Sequence, residues 1–93
     1  MGNKQSKELS FSEKICLVKK EFPDEILYYV NKDINRQKED LSKNTILIEH
    51  KGYTFGSVQF NEKSYKIIYF KDSEIMKTES WIVLKDSDVC KIE

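Results

Sequence analysis

Three glycines, one proline, two cysteines and one histidine are all that a chain of 93 residues holds of the types that most often mark a catalytic or metal-binding loop. Each shortage excludes something. So few glycines leave no Gly-rich loop whose amides close on a phosphate. Cys16, His50 and Cys90 are the only thiol and imidazole groups, one short of the four ligands a structural zinc site takes, so neither a metal nor another cofactor is expected. Two cysteines are too few for the disulfide framework of a small secreted domain, and both are read as free thiols. No apolar run approaches the roughly 18 residues of a membrane span, and the leading residues lack the apolar stretch of a signal peptide. A cytoplasmic chain is the expectation.

An excess of one charge is also missing. Sixteen basic residues cancel sixteen acidic ones, which argues against nucleic acid as a partner, because phosphate attraction needs a basic surplus. The cancellation is uneven. Five lysines against two glutamates in residues 1–20 leave a basic leading segment, the signature of contact with an anionic surface. What the chain does have is eleven aromatic residues, which bury large areas and suit a folded domain. At this length there is one domain, since cores stop growing only near about 250–300 residues.

Residues 1–9 are polar and without periodicity, and are expected as a flexible tail ahead of a single domain over 10–93. Ser10-Phe11-Ser12-Glu13 offers a capping box, and Phe11, Ile15, Val18 and Phe22 recur on one helical stripe, predicting a helix over 11–21. Pro23 stops it and opens a second, over 24–40, on which Ile26, Val30 and Ile34 fall four apart. Leu27-Tyr28-Tyr29-Val30 is equally good strand material. From Asn44 the pattern turns to short β-rich runs: Thr45 to His50, a turn at Lys51-Gly52, Tyr53 to Phe60, a turn at Asn61-Glu62-Lys63, and Tyr65 to Phe70. A turn at Lys71-Asp72-Ser73, then Glu74 to Lys77, Trp81 to Leu84 and Val89 to Ile92, complete them. The expected class is α+β: an N-terminal helical pair followed by a four- to five-stranded antiparallel meander. Gly56 inside a strand suggests a bend sharp enough to close the sheet as a small SH3-like barrel.

The opening Met1-Gly2-Asn3-Lys4-Gln5-Ser6-Lys7 fits N-myristoylation: Gly2 supplies the acceptor amine, Ser6 the small hydroxyl residue and Lys7 the basic one. It resembles the N-termini of myristoylated neuronal calcium sensors and related signalling proteins, and the resemblance implies lipidation at Gly2. No calcium-binding loop follows, so calcium sensing is not implied. One acyl chain holds a membrane only marginally; Lys4, Lys7 and Lys14 would supply the second signal, each worth about 1 kcal/mol at an anionic leaflet.

Tyr53-Thr54-Phe55-Gly56-Ser57-Val58, Tyr65 to Glu74 and Trp81-Ile82-Val83-Leu84 resemble the strand rhythm of Tudor-type SH3-like barrels over residues 53–84. The resemblance implies an aromatic binding surface with Tyr53, Phe55, Phe70 and Trp81 as walls, because a quaternary ammonium is drawn to several ring faces at once. Aromatic residues in short strands also serve as core. His50 reads as a hairpin residue, and pairing it with Cys16 or Cys90 lacks a third, orienting group. Asp72, Glu74 and Glu79 are offset by Lys71 and Lys77.

No catalytic residues are expected. The chain reads as a non-catalytic adaptor or regulator that binds another protein, tethered at the cytoplasmic face of a membrane where Gly2 is acylated. Two alternatives stand beside it: a small soluble regulator of bacterial or phage type that blocks a larger protein, and a Tudor-like module for peptides or nucleic acid.

Overall fold

The computed structural model describes residues 9–36, 40–50, 62–76 and 79–93. Among these residues there is one α-helix, α1 (Phe11–Glu21), and it starts where the side chains dictate. The Glu13 amide donates to the Ser10 hydroxyl at 3.2 Å and the Ser10 amide to Glu13 Oε1 at 2.8 Å, satisfying two of the donors a helix start leaves open. Phe22 caps the other end, its amide donating to the Val18 carbonyl.

Eight strands follow: β1 (Leu27–Val30), β2 (Ile34–Asn35), β3 (Asp40–Leu41), β4 (Ile46–Glu49), β5 (Glu62–Lys71), β6 (Glu74–Met76), β7 (Trp81–Lys85) and β8 (Val89–Lys91). β2 and β3 form a ladder of their own. The remaining six make one antiparallel sheet in the order β6-β5-β4-β1-β8, with β7 beside β5 on the same edge as β6. Asp72 at φ 58 turns β5 into β6, a left-handed conformation that Asp tolerates through its short polar side chain. Between β6 and β7 the register against β5 shifts by two residues, so the two edge strands do not share one register.

β7 and β8 stand at opposite edges of this sheet but are joined by a single 3-10 turn, Asp86–Asp88. In a flat sheet those edges would be about 19 Å apart, farther than three residues reach at roughly 2 Å each. The sheet therefore curls. On its concave side Val30, Leu47, Tyr65, Ile67, Ile82 and Leu84 form one core, closed by Ile34 and Leu41 of the β2–β3 ladder. On its outer side α1 lays Phe11, Ile15, Val18 and Phe22 over Leu27, Ile46, Ile48 and Ile68 to make a second. β1, β4 and β5 are buried between the two layers.

This architecture corrects the expected one. There is no helical pair, since residues 27–30 are a strand and 34–35 and 40–41 belong to a ladder. Leu27 and Val30 are buried in opposite layers, so the run is apolar on both faces, and a short continuous apolar run looks alike in a buried strand and a buried helix. The four-residue spacing of Ile26, Val30 and Ile34 was coincidence. Nor is the sheet a meander: β8 pairs with β1, not β7. It is not a closed barrel either, because among the described residues β7 and β8 share no ladder. Glu62 and Lys63, expected in a turn, begin β5. The strand expected over 53–60 and the turn at 51–52 lie outside the described residues.

Candidate functional site

Strand register decides which side chains share the outer face. Leu27, Ile48, Lys66 and Trp81 stand in one row across β1, β4, β5 and β7. The adjacent row carries His50, whose amide donates to the Ser64 carbonyl, then Ser64 and its partner Val83. α1 covers the sheet as far as the Leu27–Ile48 side of the first row and stops. Beyond it Trp81 is 41% and Val83 37% exposed, and the His50 ring meets the Trp81 ring edge-on at 3.8 Å between centroids.

Along the flank of α1 runs a groove of about 590 Å³. Leu17, Phe22, Ile68 and Ile75 give it an apolar floor, and Lys20, Lys66, Glu74 and Glu79 lie on its margin. Lys66 both lines the groove and faces Trp81 across the strands. Groove and Trp81–Val83 patch thus form one surface on one face. Large apolar side chains left in water beside a groove are the usual mark of a docking surface.

A second constellation lies at the concave side. The Tyr28 hydroxyl donates to Glu49 Oε1 at 2.8 Å, and Lys63 Nζ lies 3.9 Å from the same oxygen. The Tyr28 and Tyr65 rings meet edge-to-face at 5.2 Å. Tyr65 is fully buried, and among the described residues its hydroxyl has no hydrogen-bond partner. Burial, then the hydrogen bond to Glu49 and the negative charges of Glu49 and Asp86, push the Tyr28 phenol up to about 12. Burial raises Tyr65 as well, helped by Tyr28, Asp86 and Glu49. Both phenols stay protonated across the physiological range, and so are donors rather than nucleophiles or bases.

No protein family, curated protein or solved structure matches this chain.

Gly2, Lys4, Ser6, Lys7, Tyr53 and Phe55 lie outside the described residues. Lys14 is on α1, its ammonium 5.3 Å from the centre of the Phe70 ring. Phe70 itself packs against the α1 core. Phe70 and Trp81 share the outer face, but Trp81 pairs with Lys66, four residues along β5 from Phe70 and hence about 13 Å away. They do not wall a common cage. His50 and Cys90 are not brought together either: Cys90 pairs with Tyr29, which pairs with Ile46, two strands across and four residues along from His50, about 10 and 13 Å. Cys16 is exposed on α1. Among the described residues no group of three His, Cys, Asp or Glu side chains is placed to hold a metal, and no helix is long and apolar enough to cross a membrane.

Leu17 and Val83 were not singled out from the sequence, nor was the Tyr28–Glu49–Tyr65 cluster. For Val83 a signal existed: in Trp81-Ile82-Val83-Leu84-Lys85, alternation sets Ile82 and Leu84 on one face and leaves the others on the opposite one. For the tyrosine cluster there was none, because its members come from three strands whose register is not written locally.

Proposed function

We propose that this chain is a non-catalytic protein-binding module, a regulator that acts by occupying a surface of another protein. The observation that supports it is the single outer-face surface on which the α1 groove leads to exposed Trp81 and Val83. Tryptophan is the residue type most enriched where interface energy concentrates. The groove takes one or two apolar side chains of a partner segment, and Lys20, Lys66, Glu74 and Glu79 supply a polar rim.

The test is to isolate partners from the source cells with wild-type chain and, in parallel, with Trp81→Ala, Leu17→Glu and Tyr69→Ser. Tyr69 is exposed too, but lies on the opposite face of β5. A partner lost with the first two variants and kept with the third is the expected result, with titration calorimetry then giving at least a tenfold weaker Kd for Trp81→Ala. A partner retained equally by all three removes the outer face from consideration.

The motif Met1 to Lys7 adds a tether to this proposal, through acylation of Gly2. Intact mass after co-expression with an N-myristoyltransferase reads it directly: one myristoyl group gained supports the tether, and an unchanged mass ends it while leaving the binding surface untouched.

A further inference from the structure

Among the described residues, β7 is bonded on one side only. The Ile67 amide donates to the Ser80 carbonyl at 3.0 Å, and the β5 register continues from Lys66↔Trp81 to Glu62↔Lys85. Backbone groups in an antiparallel ladder alternate sides, so those of Ser80, Ile82 and Leu84 face β5. The N–H and C=O groups of Trp81, Val83 and Lys85 face outward. Among the described residues no strand takes them up.

Natural proteins defend such an edge with central charges, proline, or strands too short to pair. β7 does the reverse. Trp81 and Val83 occupy its beginning and its centre, and the one charged residue, Lys85, sits at its end. The arrangement is self-complementary. An antiparallel pairing about Val83 brings the outward backbone of Val83 against that of Val83 of a second copy. Trp81 then faces Lys85 of the second copy, and Lys85 faces Trp81 in return. All three outward residues are in bonding register, giving up to about six backbone hydrogen bonds for two five-residue strands. Each lysine meets an indole face across the strands, a favourable cation–π contact, and Glu79 of the second copy lies at the diagonal position from Lys85. No like charges are opposed.

We infer that two copies of this chain associate through β7, forming one continuous sheet about a twofold axis at Val83. Cross-strand neighbours share a face, so the two α1 helices and their grooves lie on the same side of the joined sheet. The assembly presents two grooves to one partner surface, which raises apparent affinity without a new contact. The inference is carried by the β7 edge alone and does not depend on what fills the groove.

Sedimentation velocity on the full 93-residue chain tests it. An interface of this kind falls in the weak class, below about 1,200 Å², so the run spans about 10 μM to 1 mM, over which the weight-average mass is expected to rise from monomer toward dimer. Val83→Lys sets two ammonium groups against each other at the twofold and keeps the chain monomeric at 1 mM, with an unchanged far-UV spectrum. Leu17→Glu, in the groove, leaves the dimer intact. In a Cys16→Ser, Cys90→Ser background, Val83→Cys gives an oxidised dimer within minutes whereas Tyr69→Cys does not. A wild type monomeric at 1 mM, or a dimer unaffected by Val83→Lys, overturns the inference.

Discussion

Removing one oxygen atom should make this protein more stable. Tyr65 is 0% exposed and its hydroxyl has no partner among the described residues. A buried polar group left unsatisfied costs about 1–3 kcal/mol relative to the hydrated unfolded chain. Tyr65→Phe deletes that group and keeps the ring, including its edge-to-face contact with Tyr28. The vacated space is roughly 12 Å³, which at about 24 cal/mol per Å³ returns only about 0.3 kcal/mol against the change. The expected net is a stabilisation of about 1–2 kcal/mol, or a Tm higher by about 4–8 °C for each kcal/mol in a domain of this size. Tyr28→Phe is the contrast: it breaks the bond to Glu49 and leaves a half-buried carboxylate short of a donor, costing about 1–2 kcal/mol. Urea unfolding followed by Trp81 fluorescence measures both, with m unchanged if only the native state is affected. A Tyr65→Phe variant destabilised by more than about 0.5 kcal/mol would show that the hydroxyl is satisfied, by a buried water for instance, and the reasoning would fail.

The same two phenols predict alkaline sensitivity. Both folded values lie above that of a free tyrosine, so the unfolded chain loses its protons first; stability is whole below pH 10 and falls as pH rises toward 12. Thermal melts over that window should flatten in the Tyr28→Phe, Tyr65→Phe double variant relative to wild type, and an identical fall in both would refute the assignment. Ser10→Ala dismantles the capping box and should cost about 1 kcal/mol, read as an earlier melt with the same end-state spectra. Asp72→Val places a β-branched residue at φ 58 and should cost about 1–2 kcal/mol, whereas Asp72→Gly should be tolerated; equal losses would mean the turn has another conformation.

What could be read from the chain was whatever is local. The α1 stripe and its capping box need only neighbours within one turn, and they stand over Phe11–Glu21. The faces of β5 were legible for the same reason, with Tyr65 and Ile67 in one core and Ile68 and Phe70 in the other. Leu27–Val30 was not legible, because its side chains are taken up on both sides, by α1 and by the concave core, and the alternation that announces a strand is lost where both faces are buried. Nor was the partnership of β1 with β8, which joins the two ends of the sequence. The surroundings of Trp81 were not legible: Phe70 was expected beside it as part of an aromatic surface, but Phe70 packs against the core under α1. The Trp81 neighbours Val83 and His50 are set by the long-range register of β4, β5 and β7, which no local pattern records.

The end of α1 is dictated by one residue. α1 runs along β1 and β4, from Phe11, whose ring meets Tyr29, to Phe22, which shares a groove with Lys66 and another with Leu27. Eleven residues make about 16 Å of helix, enough to cover the rows of Ile46 and Ile48. One more turn would carry apolar cover on to the next row at His50, whereas Trp81, in the Ile48 row, and Val83 stand two strands from β4, on β7. Pro23 forbids it, since it has no amide to donate and disfavours helical backbone at Phe22, which is found at φ −126. The exposure of Trp81 and Val83 follows from the place of β7 at the sheet edge, beside the strands that α1 covers. The outer face is thus divided between a part that α1 covers, bounded at Pro23, and an uncovered part on β7.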